Sequence, residues 1–400
     1  MKLAKVPAVT TGQRMGERMN GTDEPVFTVA GNRLTLLTEG PARLDALLAL
    51  IAGARRSLRI LFYIWEEDAA GTRVRDALVA AARRGVRVAL IVDGLGAEAA
   101  ASRGFFGPLR EAGGDVCVFV PRIGRRYLLR NHQKLALADD LRVIVGGFNV
   151  EDAYFGTVEQ QAWRDLGLLV EGPAAGRLAG YFDALKASIA LPGAPLRKLS
   201  RMLREWSEDS GPVRWLLGGP SRRLSPWART VKHEIRTSER IDMIAAYFAP
   251  GPLMMRRLDK AAKRTRLRIV VPAKTDHAIA LLAARFTYRN LLRHRIELYE
   301  YQPTKLHTKL FLADDAVHIG SANFDMRSMF LNMELMLRVE DAAFAAHLRA
   351  YMDREVADSR RVTRQLHRER SGWWARVKQA GAYFIMSVLD PQVTVRLNRD

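Results

Sequence analysis

Apolar residues recur along the chain at two spacings, and each spacing predicts an element. Leu44, Leu47, Leu48 and Ile51 repeat at helical intervals. The runs 57–65 (SLRILFYIW) and 86–92 (VRVALIV) are almost wholly apolar and predict buried strands. Between them, 72–84 suits an alanine-rich helix that stops before Gly85. A helix over 106–112 and a strand over 116–120 follow. The second half repeats the order: strand 240–247, basic helix 252–264, strand 267–271, helix 276–293 and strand 295–301. Tyr63 and Tyr247 fall at similar places, at the ends of corresponding strands. This alternation predicts an α/β fold of two duplicated domains, each a mainly parallel mixed sheet flanked by helices, related by a pseudo-twofold axis.

The expected division runs as follows. An N-terminal extension covers 1–33, a first domain 34–195, a connection rich in Pro, Gly, Ser and Arg 196–230, a second domain 231–352, and a basic C-terminal segment 353–400. No apolar stretch in the first thirty residues or beyond has the length of a signal peptide or a spanning helix.

Composition narrows the partners. The chain has 400 residues and a net charge of +20, which attracts polyanions: nucleic acid or an anionic bilayer. Cys117 is the single cysteine, so no internal disulfide forms; its apolar surroundings predict a small core residue in a strand.

The chemistry comes from a motif present twice. His132, Lys134 and Asp139 are followed by Gly146, Gly147 and Asn149. His307, Lys309 and Asp314 are followed by Gly320, Ser321 and Asn323 at the same spacing. On a strand, His and Lys two apart share a face. The apolar runs after them continue the strand, Asp139-Asp140 and Asp314-Asp315 suit tight turns, and the returning strands bring each Asn back beside its His and Lys. One such His would be unremarkable; a five-position match repeated at fixed spacing is not.

That inventory suits a phosphodiester. Two Lys and two Asn can hold its non-bridging oxygens. One imidazole can attack phosphorus, and the other can move the proton of the leaving and incoming alcohols. No metal or other cofactor is called for, and no metal-ligand spacing is evident. A nucleophilic imidazole needs its second nitrogen fixed by an acceptor. Asp165 follows the first motif and Glu334 the second, each opening an apolar run. Asp139 and Asp314 are expected to support their hairpins.

These residues resemble the phospholipase D superfamily, whose signature is a doubled His-x-Lys-x4-Asp. Within it the likeness is to bacterial cardiolipin synthases, carried by 34–40, by Phe62-Tyr63-Ile64-Trp65, by Gly147-Phe148-Asn149-Val150 running to Tyr154, and by 320–328. The resemblance covers about 30–350. It implies phosphatidyl transfer between phospholipids through a covalent phosphohistidine, with His132 as nucleophile and His307 as acid/base. It also implies a peripheral place on the cytoplasmic face of the cell membrane. Anionic phospholipid and the membrane surface are the expected partners, nucleic acid is second-ranked, and no obligate protein partner is called for. A lipid hydrolase and a nuclease of the same superfamily are the alternatives. At the C-terminus, arginines from Arg360 to Arg376 flank Trp373-Trp374, and an apolar patch follows. This suits either an interfacial segment or a basic helix packed on the body of the protein.

Overall fold

The computed structural model describes residues 24–102, 104–120, 129–190, 196–221 and 224–389. The first half contributes strands β1 (Val26–Val29), β2 (Asn32–Leu37), β3 (Ser57–Phe62), β4 (Arg87–Asp93), β5 (Asp115–Phe119), β6 (Leu135–Ala138), β7 (Arg142–Gly146) and β8 (Gly167–Glu171). The rest are β9 (Val213–Gly218), β10 (Arg240–Ala245), β11 (Phe248–Ala249), β12 (Arg266–Pro272), β13 (Glu297–Tyr301), β14 (Lys309–Ala313), β15 (Ala316–Gly320), β16 (Phe324–Asp325), β17 (Glu334–Glu340) and β18 (Ser359–Arg361).

They form two eight-stranded sheets, ordered β1-β2-β8-β7-β6-β3-β4-β5 and β18-β13-β12-β10-β14-β15-β17-β9. Read from opposite ends, seven strands correspond one to one, so the repeat seen in the sequence is a repeat of architecture. Strands β11 and β16 make a separate pair. The sheets are mixed, but not mainly parallel. Within the two large sheets, parallel pairing is confined to β3-β4-β5 and β10-β12-β13, where helices cross over. The motif hairpins β6-β7 and β14-β15 and the strands beside them are antiparallel. A tight turn can only return a strand in the opposite direction.

Three boundaries differ from the pattern-based division. β1 and the start of β2 lie inside the expected N-terminal extension. β9 lies inside the expected connection yet pairs along β17, and a helix, Pro226–Thr237, opens there too. The six residues of β9 were masked by their Pro- and Gly-rich flanks. β18, beyond the expected end of the second domain, pairs with β13. Residues 1–23 and 390–400 lie outside the described residues.

The strand runs are buried on both faces, and alternation sorts their side chains. Leu135 and Leu137 of β6 join a cluster shared by both halves, which includes Leu310 and Leu312 of β14 and residues of the helices Pro173–Ala190 and Ala342–Ala357. Ala136 and Ala138 face the opposite cluster, under the helices Gly40–Ala52 and Ala69–Arg83. The shared cluster holds the two halves together and fixes how their motif ends meet. Cys117 is half-buried, because β5 is the edge strand of its sheet.

Candidate active site

The motif His and Lys sit one step earlier than expected, on extended segments just before or at the start of β6 and β14. What holds these segments is the other half. The amide of His132 donates to the carbonyl of Met333 (2.9 Å), and that of Met333 to the carbonyl of Arg130 (2.9 Å). Reciprocally, the amide of His307 donates to the carbonyl of Arg164 (2.7 Å), and that of Arg164 to the carbonyl of Lys305 (2.8 Å). Each half thus lends the other a one-residue parallel bridge, Asn131 with Met333 and Arg164 with Leu306. An approximate twofold axis between the halves produces this reciprocity.

The bridges set the carboxylates. Met333 precedes Glu334, and Arg164 precedes Asp165. Nδ1–H of His132 donates to Oε2 of Glu334 at 3.0 Å, and Nδ1–H of His307 donates to Oδ2 of Asp165 at 2.7 Å. The sequence order places each carboxylate beside the motif it follows; the structure crosses them. Both carboxylates are fully buried. A carboxylate on Nδ1 fixes the tautomer that leaves Nε2 with a lone pair.

The two carboxylates are supported differently. Glu334 also accepts from the hydroxyls of Ser321 and Ser328. Asp165 accepts instead from the amide of Leu166 through Oδ1 (2.7 Å). This explains the Gly147/Ser321 asymmetry between the motifs. A Cβ added at Gly147 would stand 2.4 Å from Oδ1 of Asp165, so a serine there would collide with Asp165, whereas Ser321 at the corresponding position hydrogen-bonds Glu334.

Lys134 and Lys309 fold back along the chain. Each ammonium donates to the carbonyl of the His two residues before it. Lys134 also stands over the ring of Tyr63, 5.3 Å from its centroid. Burial lowers the pKa of Lys134 to about 7 and that of Lys309 to about 8, against the pull of Glu334 and Asp165. Burial, together with the nearby lysine charge, lowers His132, and it lowers His307 to about 3. Both imidazoles are therefore biased toward the neutral form. Asp165 is held below the usual carboxylate range: Lys309 and His307 outweigh the opposing effect of burial.

The asparagines differ. Asn149 takes the Ile64 amide on Oδ1 (3.2 Å) and donates from Nδ2 to the hydroxyl of Tyr154 (3.1 Å). That hydroxyl lies 3.5 Å from Nε2 of His307. Asn323 is buried, and its Oδ1 has no hydrogen-bond partner among the described residues. Tyr63 packs edge-on to His132 at 5.0 Å, and Tyr247 lies 6.3 Å from His307, matching their correspondence in the sequence. Trp163 also packs edge-on to His307, at 5.3 Å.

Asp139 and Asp314 lie away from these groups, at the turns. Asp139 accepts from the amides of Arg55, Arg56 and Ser57 (2.7–2.9 Å), and Asp314 from those of Glu239 and Arg240. They tie the hairpin turn to the start of the neighbouring strand. Both adopt positive φ (54° and 49°), which Asp tolerates.

Two residues escaped the sequence reading. Arg43 is buried and donates to the carbonyls of Thr38 (2.9 Å), Asp165 (2.6 Å) and Tyr154 (2.8 Å), so it pins the segment that carries Asp165 and Tyr154. Its signal was present: Arg43 occupies the same helical face as Leu47 and Leu50. Tyr154 stands in the sequence only at the end of a family-like stretch, and no spacing rule points it at His307.

The chain is similar to known proteins. A family model described as "Cardiolipin synthase, PLD-like domain" matches residues 47–186 and 231–356. Cardiolipin synthase A of Pseudomonas fluorescens is 32% identical over 85% of this chain and 72% of its own. That of Cronobacter sakazakii is 29% identical over 90% of this chain and 76% of its own. Among solved structures, phosphatidylserine synthase of Haemophilus influenzae superposes with a TM-score of 0.67 at 13% identity, covering 94% of this chain and 96% of its own, a likeness of fold. With its doubled motif, its two corresponding sheets and these relatives, the chain belongs to the cardiolipin-synthase-like family of phospholipase D-type phosphatidyltransferases.

Proposed function

We propose that this enzyme makes cardiolipin by transferring a phosphatidyl group from phosphatidylglycerol, or a second phospholipid, to the primary hydroxyl of phosphatidylglycerol. The reaction passes through one site built by both halves. The observation that carries this reading is the crossed pairing of two imidazoles with two buried carboxylates, His132 with Glu334 and His307 with Asp165.

His132 is the nucleophile. Glu334 holds its Nδ1, and among the described residues its Nε2 makes no hydrogen bond, so the lone pair is free to attack phosphorus. The N–P bond forms as the P–O bond to the head group breaks. His307, whose Nε2 lies beside the Tyr154 hydroxyl, supplies the proton to the departing oxygen. In the second step His307 takes the proton of the incoming hydroxyl; the new P–O bond forms and the N–P bond breaks. Two phosphatidylglycerols become one cardiolipin and one glycerol. Burial, and after it the nearby Lys309 charge, bias His307 toward the neutral form. A phosphodiester anion held by Lys134 and Lys309 offsets that charge and raises His307 toward the range an acid needs. Asn323 and Asn149 complete the cradle, Asn149 through Tyr154. Asp139 and Asp314 act structurally.

The substrates are bilayer lipids reached peripherally from the cytoplasmic face; among the described residues no helix is long and apolar enough to cross a membrane. Purified protein given phosphatidylglycerol in detergent micelles tests the reaction. Cardiolipin and free glycerol in equal amounts are expected. Phosphatidic acid alone would mark a hydrolase, and cleavage of single-stranded DNA without lipid turnover would mark a nuclease.

A further inference from the structure

We propose that the outer face of the second half, formed by the helices Ala278–Arg293 and Trp373–Phe384, is a docking surface for a bilayer rich in anionic phospholipid, placed so that the membrane meets the mouth of the active site. The proposal rests on the reading above that the substrates are membrane lipids, and it assigns them an approach.

Of the seven tryptophans, Trp373 and Trp374 alone are strongly exposed, at 67% and 69%; the others are buried or half-buried. Val377 and Phe384 lie four and eleven residues after Trp373, which puts them within about 40° of it on one helical face, and both are exposed. Ile279 and Phe286 on the neighbouring helix are exposed as well. The two helices are joined by the stacking of Phe286 on Tyr383 at 4.7 Å. Beside this joint runs a groove of about 660 Å³ with Phe286, Trp373 and Val377 along it and arginines around it.

The charge on this face selects the occupant. Neither helix contains an acidic residue. Arg289, Arg293, Arg368 and Arg376 line the groove, and the first, second and fourth belong to these two helices. Adjacent apolar side chains, paired tryptophans and arginines are what an interface of acyl chains and anionic head groups accepts. A basic face for nucleic acid has no need of exposed Ile279, Val377 and Phe384.

The face is also fastened to the site. Helix Ala278–Arg293 starts beside His277, whose ring lies 5.4 Å from that of Tyr247, and Tyr247 neighbours His307. The hydroxyl of Tyr383 donates to the carbonyl of Pro250 and that of Ser387 to the carbonyl of Ala249. Ala249 belongs to β11, which pairs with β16, and β16 directly follows Asn323. The apolar face is therefore one strand pair away from the wall of the site.

The test uses the full chain and vesicles of equimolar phosphatidylglycerol and phosphatidylcholine, with brominated acyl chains as a quencher. Tryptophan fluorescence of the unaltered protein should be quenched on docking, because only Trp373 and Trp374 can reach the lipid. W373A/W374A should float with these vesicles roughly tenfold less well while turning over micellar phosphatidylglycerol at the normal rate. Absence of quenching in the unaltered protein overturns the proposal without needing any variant. So does undiminished flotation of the double variant, or a loss of DNA binding in its place. Quenching without cardiolipin formation would refute the proposed reaction and leave the surface standing; cardiolipin formation without quenching would do the reverse.

Discussion

Replacing Asp165 with Asn removes one charge and keeps the shape. The aspartate uses both oxygens as acceptors: Oδ1 takes the Leu166 amide at 2.7 Å, and Oδ2 takes Nδ1–H of His307 at 2.7 Å. An asparagine has one acceptor. If its oxygen stays on the Leu166 amide, its NH2 faces Nδ1 and drives the proton to Nε2, the nitrogen that must accept one. If it turns over, its NH2 opposes the Leu166 amide, leaving buried donors unpaired at a cost of about 1–3 kcal/mol. The charge that would stabilise a protonated His307 is gone in both cases. In a Ser-His-Asp triad the equivalent change costs about 10⁴-fold in kcat, or about 5 kcal/mol at 1.36 kcal/mol per decade. Asp165→Asn should show a loss of that order in kcat, with KM changed less than about threefold. The assay is the initial rate of cardiolipin formation from micellar phosphatidylglycerol near neutral pH, with circular dichroism to confirm folding. A kcat within tenfold of the unaltered enzyme would refute the assignment of Asp165 as the group that orients His307.

Other expectations follow from the same contacts. Gly147→Ser should lower kcat more than tenfold by displacing Asp165, which a Cβ there meets at 2.4 Å; the reverse change, Ser321→Gly, removes one hydrogen bond to Glu334 and should cost far less, and equal losses would contradict the asymmetry. Asp139→Ala should lower unfolding free energy by about 2 kcal/mol through the loss of acceptors for three amides, read by urea denaturation, while the folded fraction keeps its kcat; a selective loss of kcat would move Asp139 into the chemistry. Because burial brings Lys134 and Lys309 down to about 7 and 8, their charge is present below those values and lost above them. The pH profile of kcat/KM should therefore decline on the alkaline side from about 7 to 8, and the decline in kcat should lie higher, since bound phosphodiester favours the ammonium form. A kcat/KM flat to pH 10 would contradict charged lysines as the phosphate-binding groups.

Much of the site was legible because its residues repeat. His132, Lys134 and Asn149 with their counterparts sit at fixed offsets, and the short strands around them are apolar enough to read. The supporting role of Asp139 and Asp314 was legible from the turn chemistry that follows an apolar strand. The crossing of Asp165 and Glu334 was not, because it depends on how two separately folded sheets meet, and no local spacing records that. β9 was missed because six strand residues, VRWLLG, are flanked by turn-forming sequence. The sheets were read as mainly parallel because the crossover helices carry the strongest periodicity, although most pairings are made by the antiparallel hairpins and edges around them. The exposed Trp373-Trp374 pair was visible from the start; that its helix lies on Ala278–Arg293 was not.

The central claim, that both halves build one site for phosphatidyl transfer through histidine, is tested most directly by trapping the intermediate. Rapid quenching during turnover of labelled phosphatidylglycerol, followed by peptide mapping, should find the phosphatidyl group on His132, absent from His132→Ala and sharply reduced in Glu334→Gln, although Glu334 belongs to the other half. Cardiolipin formation at full rate with no histidine adduct, or an adduct on His132 unaffected by Glu334→Gln, would contradict it.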